Sequence, residues 1–256
     1  MTNDILETLR GGLVVSCQAY PGEPMQNTQI MTAVAQAAVL GGAIGIRAQG
    51  LEDIRSIRSA VDVPIIGLVK VGVDGVFITP TMADCVRVAH AGADLVALDG
   101  TTRVRPDGSS LKDCFDAIHA HGALVMADCG SIADALASQE AGADCIGTTL
   151  AGYTEERVRT EGPDFRFLSE LVAMSEAPVL AEGRIGSPKD AAHCLQLGAH
   201  AVVVGTAITH PTTITSRFAS ALAEQRAGSG HLTGMAISAQ LSHASPVCTE
   251  TQSSRT

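Results

Sequence analysis

The chain alternates between short, almost unbroken apolar runs and longer stretches in which apolar and polar residues mix at helical spacing. Four of the short runs share one design: LGGAIGIRAQG from Leu40, AGADLVALDG from Ala91, AGADCIGTTL from Ala141 and LGAHAVVVGT from Leu197. Each reads as the end of a helix, a glycine that supplies the left-handed turn there, and an apolar strand that begins at once. Gly42, Gly92, Gly142 and Gly198 align the four copies at intervals of 50, 50 and 56 residues. Between them lie four more runs of the same kind, GLVVSC (12–17), PIIGLVK (64–70), ALVMADC (123–129) and PVLAEG (178–183).

Interleaved, the runs predict eight strands near residues 13–17, 43–47, 65–70, 94–98, 123–127, 144–148, 178–182 and 201–205. Helices fill the gaps, among them Ser131–Glu140, Ser187–Gln196 and Pro211–Ala223, and Ser187-Pro188 is a capping serine followed by a first-turn proline. Eight βα units of this size predict an α/β fold, a (β/α)8 TIM barrel, as a single catalytic domain over residues 1–226. A doubly wound sheet is the alternative, with fewer strands and no quarter repeat. Two segments fall outside the pattern. VFITPT (76–81) reads as an extra extended piece in the third βα loop, and residues 227–256, rich in Ser, Thr, Gly and Ala, read as a low-complexity tail without fixed structure.

Composition narrows the possibilities. With 46% hydrophobic residues but only five Phe and two Tyr, the core is built from Ala, Val, Ile and Leu. The formal charge is −10 and no run of basic residues occurs, so no nucleic-acid partner is expected. The opening MTNDILETLR has no apolar signal region, and no apolar run of membrane-spanning length follows, so no membrane partner and a cytoplasmic location are expected. Seven cysteines (17, 85, 114, 129, 145, 194, 248) show no Cys-x-x-Cys and no zinc spacing, and read as small buried hydrophobes in a reducing compartment.

In this barrel the chemistry sits at the C-terminal ends of the strands. In order, those ends carry Ser16, Cys17 and Gln18; Arg47 and Gln49; Lys70; Asp99; Asp128; Thr148 and Thr149; Glu182; and Gly205 with Thr206. A solvated ion-pair ring would account for any one of these charges. Arg47, Lys70, Asp99, Asp128 and Glu182 together point to an active site. Strands three and seven lie opposite each other in an eight-membered ring, so Lys70 and Glu182 face one another across the mouth. That arrangement removes a proton from one face of a carbon and returns one to the other. Arg47 and partial burial would both lower the Lys70 pKa and make its amine a usable base.

EGRIGSP (182–188) and VVVGTAIT (202–209) place glycines and a helix start after strands seven and eight, the usual phosphate site of this fold. Gly183, Gly186, Ser187, Gly205 and Thr206 are the candidate cradle. Thr148, Arg184 and His210 are candidate substrate contacts beside it. Six other histidines (90, 119, 121, 193, 200, 243) fall on helices, helix ends or the tail and read as surface residues. Asp99 has no second ligand at fitting spacing, so no metal is expected, and the absence of a strand–GxGxxG–helix unit argues against a Rossmann nucleotide site.

GGLVVSCQA, PGEPM, IRAQG, VPIIGLVK, ITPT, AGADLVALDGT, MADCGS, GADCIGTTLAGYT, VLAEGRIGSP and VVVGTAIT together resemble the N-acylglucosamine-6-phosphate 2-epimerase family, also called N-acetylmannosamine-6-phosphate epimerases, over residues 11 to 225. The resemblance implies proton transfer at C2 of a ring-opened amino sugar phosphate, with Lys70 and Glu182 as the acid–base pair. It also implies Gln18, Arg47 and Asp128 as a polar frame around the sugar, the loops at 183–187 and 205–206 as the phosphate cradle, no metal or organic cofactor, and a homodimer. Asp128 would hold Lys70 or a sugar hydroxyl. Two departures stand out. Where the family pattern has arginine after AIT, this chain has His210. The loop after Lys70, usually longer and opening with Arg-Asp, is VGVDGVF here. Two other readings stay open: a Schiff-base lyase or synthase using Lys70, and a non-catalytic barrel that binds a sugar phosphate.

Overall fold

Eight parallel strands close on themselves in sequence order: β1 (Leu13–Cys17), β2 (Gly45–Gln49), β3 (Ile65–Leu68), β4 (Leu95–Asp99), β5 (Leu124–Asp128), β6 (Cys145–Gly147), β7 (Val179–Glu182) and β8 (Ala201–Val204). The ring is completed by β1 against β8, from Leu13↔Val202 to Val15↔Val204. A computed structural model of the chain describes the backbone of residues 2–241 and the side chains of residues 4–226. Its helices are α1 (Thr2–Leu9), α2 (Thr28–Leu40), α3 (Leu51–Arg58), α4 (Met82–His90), α5 (Leu111–Ala120), α6 (Ile132–Ala141), α7 (Phe165–Met174), α8 (Pro188–Gln196), the single turn α9 (Thr206–Thr209) and α10 (Pro211–Leu241). The fold is the expected (β/α)8 barrel.

The repeat has a simple physical basis. Gly42, Gly92, Gly142 and Gly198 all have left-handed φ, between 96° and 105°, a conformation that costs other residues energy. Helix starts are written in side chains. Asn27, Thr81, Ser110, Ser131, Asp164 and Ser187 each accept a hydrogen bond from a first-turn N–H. Ser187 caps α8 with Pro188 in its first turn, as expected.

Strand parity divides the core into two layers. Val14, Ile66, Leu68, Leu95, Ala97, Leu124, Met126, Leu180 and Val203 fill the barrel, while Val15, Ile46, Ile65, Val96, Val125, Ile146 and Val202 pack outward under the helices. The six described cysteines are buried and free, and Cys248 lies outside the described residues. At the bottom, α1 seals the barrel: Leu9 is buried in the inner layer, with Ile5 and Leu6 packed against it. His200 was expected at the surface. It is buried instead, its Nε2 2.6 Å from the Leu6 carbonyl, and its own carbonyl accepts from Gly11 N–H at 2.7 Å. A helix-end histidine could serve in this way because α1 arrives from the far end of the chain.

VFITPT is extended at its centre but turns at Thr79, which has φ 44°. It doubles back on β3, with Ile78 bridged antiparallel to Lys70. The chain divides into two compact units, Met1–Pro211 and Thr212–Thr256. Of the tail expected to lack fixed structure from residue 227, the backbone to Leu241 continues α10, and residues 242–256 lie outside the described ones.

Gly67 faces the helical layer with no room to spare. A Cβ there would meet Ala93 Cβ at 2.7 Å, Val88 Cγ1 at 2.9 Å and Ile54 Cδ1 at 3.0 Å. Gly67→Ala is expected to destabilise the barrel by about 1–3 kcal/mol through overpacking, seen as a lower urea midpoint, while Gly162→Ala, whose added Cβ meets nothing within 4 Å, leaves the midpoint in place.

Candidate active site

The inward parity that lays down the barrel filling places charge at its top. Above the apolar layer the inward positions are Arg47, Asp99, Asp128 and Glu182, with Lys70 continuing the parity of Ile66 and Leu68. Arg47 is almost completely buried. It spans the barrel interior to Asp128, donating from Nη2 to Oδ2 at 2.6 Å and from Nη1 to Oδ1 at 3.1 Å, and its Nη1 lies 2.9 Å from Glu182 Oε2. The Thr149 hydroxyl bridges the two carboxylates, 2.5 Å from Asp128 Oδ1 and 3.2 Å from Glu182 Oε2. Gly147 makes this layer possible, because a Cβ there would sit 2.5 Å from Met126 Cε and 3.0 Å from Asp128 Oδ1.

One guanidinium thus serves two carboxylates in a dry place. Burial opposes the Arg47 charge, but Asp128 and Glu182 outweigh it and keep the group protonated. Glu182 feels the opposite balance. Burial pushes its carboxyl up to about 7, with Asp128 adding to the rise, against the downward pulls of Arg47, the Thr149 hydroxyl and Lys70. Lys70 is lowered from the ordinary lysine value, first by burial and then by the Arg47 charge, with Glu182 and Asp128 opposing. Lys70 and Glu182 therefore sense one another, yet among the described residues Lys70 has no carboxylate within ion-pair distance. The pair is poised around a gap.

The remaining candidates divide. Gln18 donates to the Ser16 hydroxyl at 2.8 Å on the β1 rim. Asp128 is fully buried with both oxygens on Arg47, so what it holds is the guanidinium and not Lys70. The Thr148 hydroxyl accepts from Glu182 N–H at 2.9 Å and donates to Glu182 C=O at 2.8 Å, which fixes the backbone of the acid. Arg184, at φ 56°, turns away to the loop after β6, bonding Gly162 O, Ala151 O and Thr160 Oγ1. His210 is buried with its ring 4.6 Å from Tyr20 and Nδ1 3.5 Å from Glu23 Oε2. Asp99 is satisfied by its own loop, through Thr101 and Arg103.

The two phosphate loops also differ from each other. Gly186 N–H and the Ser187 hydroxyl both donate to Asp190, whose carboxylate already occupies the N-terminus of α8. Gly183 sits at φ 109°, and a Cβ there would lie 3.8 Å from the carbonyl oxygens of Thr148 and Thr149. A Cβ at Gly205 would come 3.2 Å from Ser16 Cβ. Thr206 begins α9, where the first N–H groups have no intrahelical acceptor. Among the described residues no group of three or more His, Cys, Asp or Glu side chains is arranged to hold a metal ion.

Comparison with known proteins identifies the family. A family model described as "Putative N-acetylmannosamine-6-phosphate epimerase" matches residues 31–224. The chain belongs to the N-acetylmannosamine-6-phosphate epimerase family. A protein of Cutibacterium acnes named "Putative N-acetylmannosamine-6-phosphate 2-epimerase" is 52% identical over 86% of this chain and 98% of its own length. A Clostridioides difficile protein of the same name is 43% identical over 85% and 99%. A solved structure of the N-acetylmannosamine-6-phosphate 2-epimerase of Clostridium perfringens superposes with a TM-score of 0.82 at 43% identity, covering 84% of this chain and 95% of that one. The thiamine phosphate pyrophosphorylase of Pyrococcus furiosus, at 18% identity and a TM-score of 0.56, shares the fold.

Within this family member, Thr149 is the residue that sequence reasoning underrated. It was noted at the end of the sixth strand, but nothing in GTTLAGYT tells which threonine faces the carboxylates. The raised Glu182 pKa has a stability consequence. Between the ordinary value of 4.5 and about 7, the folded chain holds a proton that the unfolded chain releases, so stability falls as pH rises through that window. Urea unfolding should lose up to ~3 kcal/mol from this group between those pH values. Glu182→Gln should flatten that slope, and an unchanged slope would remove the shifted acid.

Proposed function

We propose that the chain epimerises N-acylmannosamine 6-phosphate to N-acylglucosamine 6-phosphate at C2, by acid–base proton transfer without a cofactor. The observation that carries the reading is the Lys70–Glu182 pair: two titratable groups with pKa values drawn toward neutrality, one shifted down and one up, on opposite strands of the mouth. Ring opening gives an aldehyde that acidifies the C2 hydrogen. One of the pair takes that proton, the electron pair passes to the carbonyl oxygen as an enolate, and the other group protonates C2 from the opposite face. Arg47 supplies fixed positive charge near the developing oxyanion, at no cost of reorganisation because Asp128 and Thr149 already hold the site in place.

The two directions need opposite starting forms, neutral amine with carboxylic acid or ammonium with carboxylate. Both forms hold one proton between the pair, so both directions share one pH profile. The backbone N–H groups of Gly183, Gly205 and Thr206 are the proposed phosphate cradle, with Gln18 reaching the sugar. The proposed setting is the cytoplasm, and among the described residues no helix is long and apolar enough to cross a membrane. A homodimer is proposed as well, supported by Phe218 and Leu222 of α10, which expose 71% and 68% of their surface. Light scattering should then return twice the chain mass of 26.3 kDa, and the single mass would rule it out.

Proton NMR in D2O with N-acetylmannosamine 6-phosphate tests the reaction. The gluco epimer should appear with deuterium at C2, and Lys70→Ala should abolish both epimer and exchange. Across pH, kcat/KM should rise through about 7 and fall again below the ordinary lysine pKa of 10.5. Turnover without C2 exchange, or a lysine trapped by borohydride, would favour Schiff-base chemistry instead.

A further inference from the structure

The barrel itself does not hold Lys70. Pairing of β2 with β3 ends at Gln49↔Leu68, and pairing of β3 with β4 ends at Gly67↔Val96. Beyond Leu68 the chain leaves the ring, and a separate segment takes over. The N–H of Thr79 donates to Val69 O at 2.7 Å, Val69 N–H reaches the Thr79 hydroxyl at 3.3 Å, and Val71 N–H donates to Phe77 O at 3.0 Å. The residues on both sides of Lys70 are thus tied to the returning strand. That strand is anchored in turn on β4: Asp99 N–H donates to Ile78 O at 3.0 Å, and the Thr79 hydroxyl donates to Ala97 O at 2.6 Å. Residues 77–79 are wedged between the tip of β3 and β4.

The wedge stores strain. Thr79 is fully buried with φ 44°, in the left-handed region that a β-branched residue enters at a cost of about 1–3 kcal/mol. Something has to hold it there, and one buried side chain does. Arg105, 4% exposed, donates from Nη1 to Thr79 O at 3.3 Å and to Pro80 O at 3.2 Å, and from Nη2 to Asp99 O. It joins the strained turn to the end of β4 through three backbone carbonyls, and these bonds go to no charged side chain at the mouth. A guanidinium suits this task because its planar fork meets several acceptors at once.

We propose that Arg105 is a positioning residue for Lys70, acting through the strained Thr79–Pro80 turn that fixes the tip of β3. The inference rests on the reading of Lys70 as a proton-transfer group, and it concerns only where that amine is held. Without the clamp, Thr79 relaxes out of the left-handed region, its two bonds to Val69 lengthen, and the tip of β3 gains freedom. The ammonium is then better hydrated, and it faces Arg47 of β2, Asp128 of β5 and Glu182 of β7 less closely.

The chain has only three lysines, which makes a direct test practical. With 13C-labelled lysine, the ε-carbon of Lys70 is assigned by its loss in Lys70→Arg and titrated beside those of the exposed Lys112 and Lys189. In the unaltered chain Lys70 should titrate below both. In Arg105→Met and in Thr79→Val its midpoint should move up toward theirs, and kcat should fall on the order of 10- to 100-fold with KM nearly unchanged. Thr79→Ser keeps the hydroxyl and should keep the original midpoint and most of kcat. A folded Arg105→Met or Thr79→Val with an unmoved Lys70 midpoint overturns the proposal, even where the melting temperature drops. Should Arg105→Met fail to fold, the Thr79 pair decides alone. Retained turnover in Lys70→Ala would refute the role of the lysine, whereas the titration speaks to the clamp independently of turnover.

Discussion

The contact on which this site depends is the buried pairing of Arg47 with Asp128. Neither group would be tolerated in the barrel interior alone, since breaking such a pair leaves an uncompensated charge at a cost of about 3–5 kcal/mol. Made together, the pair does three things. It keeps a charged guanidinium at the top of the barrel without leaving it unpaired, it shares that guanidinium with Glu182 at 2.9 Å, and through Arg47 it bears on Lys70 as a like charge. Burial sets the direction of both shifts, and the guanidinium deepens the fall on Lys70 while it restrains the rise on Glu182. Gly147 and Thr149 are accessories to the same contact, one by leaving space and the other by bridging the two carboxylates.

Much of this was legible in the sequence because a closed barrel is governed by two short periods. The quarter repeat counted the strands, and the alternation along each strand chose which residues point inward. Those two rules suffice to bring Arg47, Lys70, Asp128 and Glu182 to one end. They do not say who bonds whom. Asp128 looked free to hold a lysine or a hydroxyl, yet Arg47 reaches it across the interior from three strands away, a distance set by barrel radius and not by spacing in the chain. Ser187 had the composition of a phosphate contact and Arg184 that of a substrate contact, but the Ser187–Asp190 cap and the positive φ of Arg184 are local backbone choices that composition does not encode. Thr79 and Arg105 lie in irregular loops, where no period applies, and His200 gained its partner only when α1 came back beneath the barrel.

The two places set apart in the sequence, His210 and the loop after Lys70, both pack around the mouth. His210 sits beside Tyr20 and Glu23, so it touches the loop after β1. The short loop after Lys70 is compact enough to pair with the strand it leaves, which is what makes the Thr79 wedge possible.

The helical plug at the other end has its own consequence. With Leu9 filling the lower end of the barrel and Ile5 and Leu6 packed against it, that end is closed by apolar side chains. In the proposed mechanism each passage of substrate leaves the lysine and the glutamate with their protons exchanged, and they reset with solvent through the mouth, the same doorway that substrate and product use. The rate at which the site forgets which direction it last ran is therefore governed by how long the doorway stays occupied.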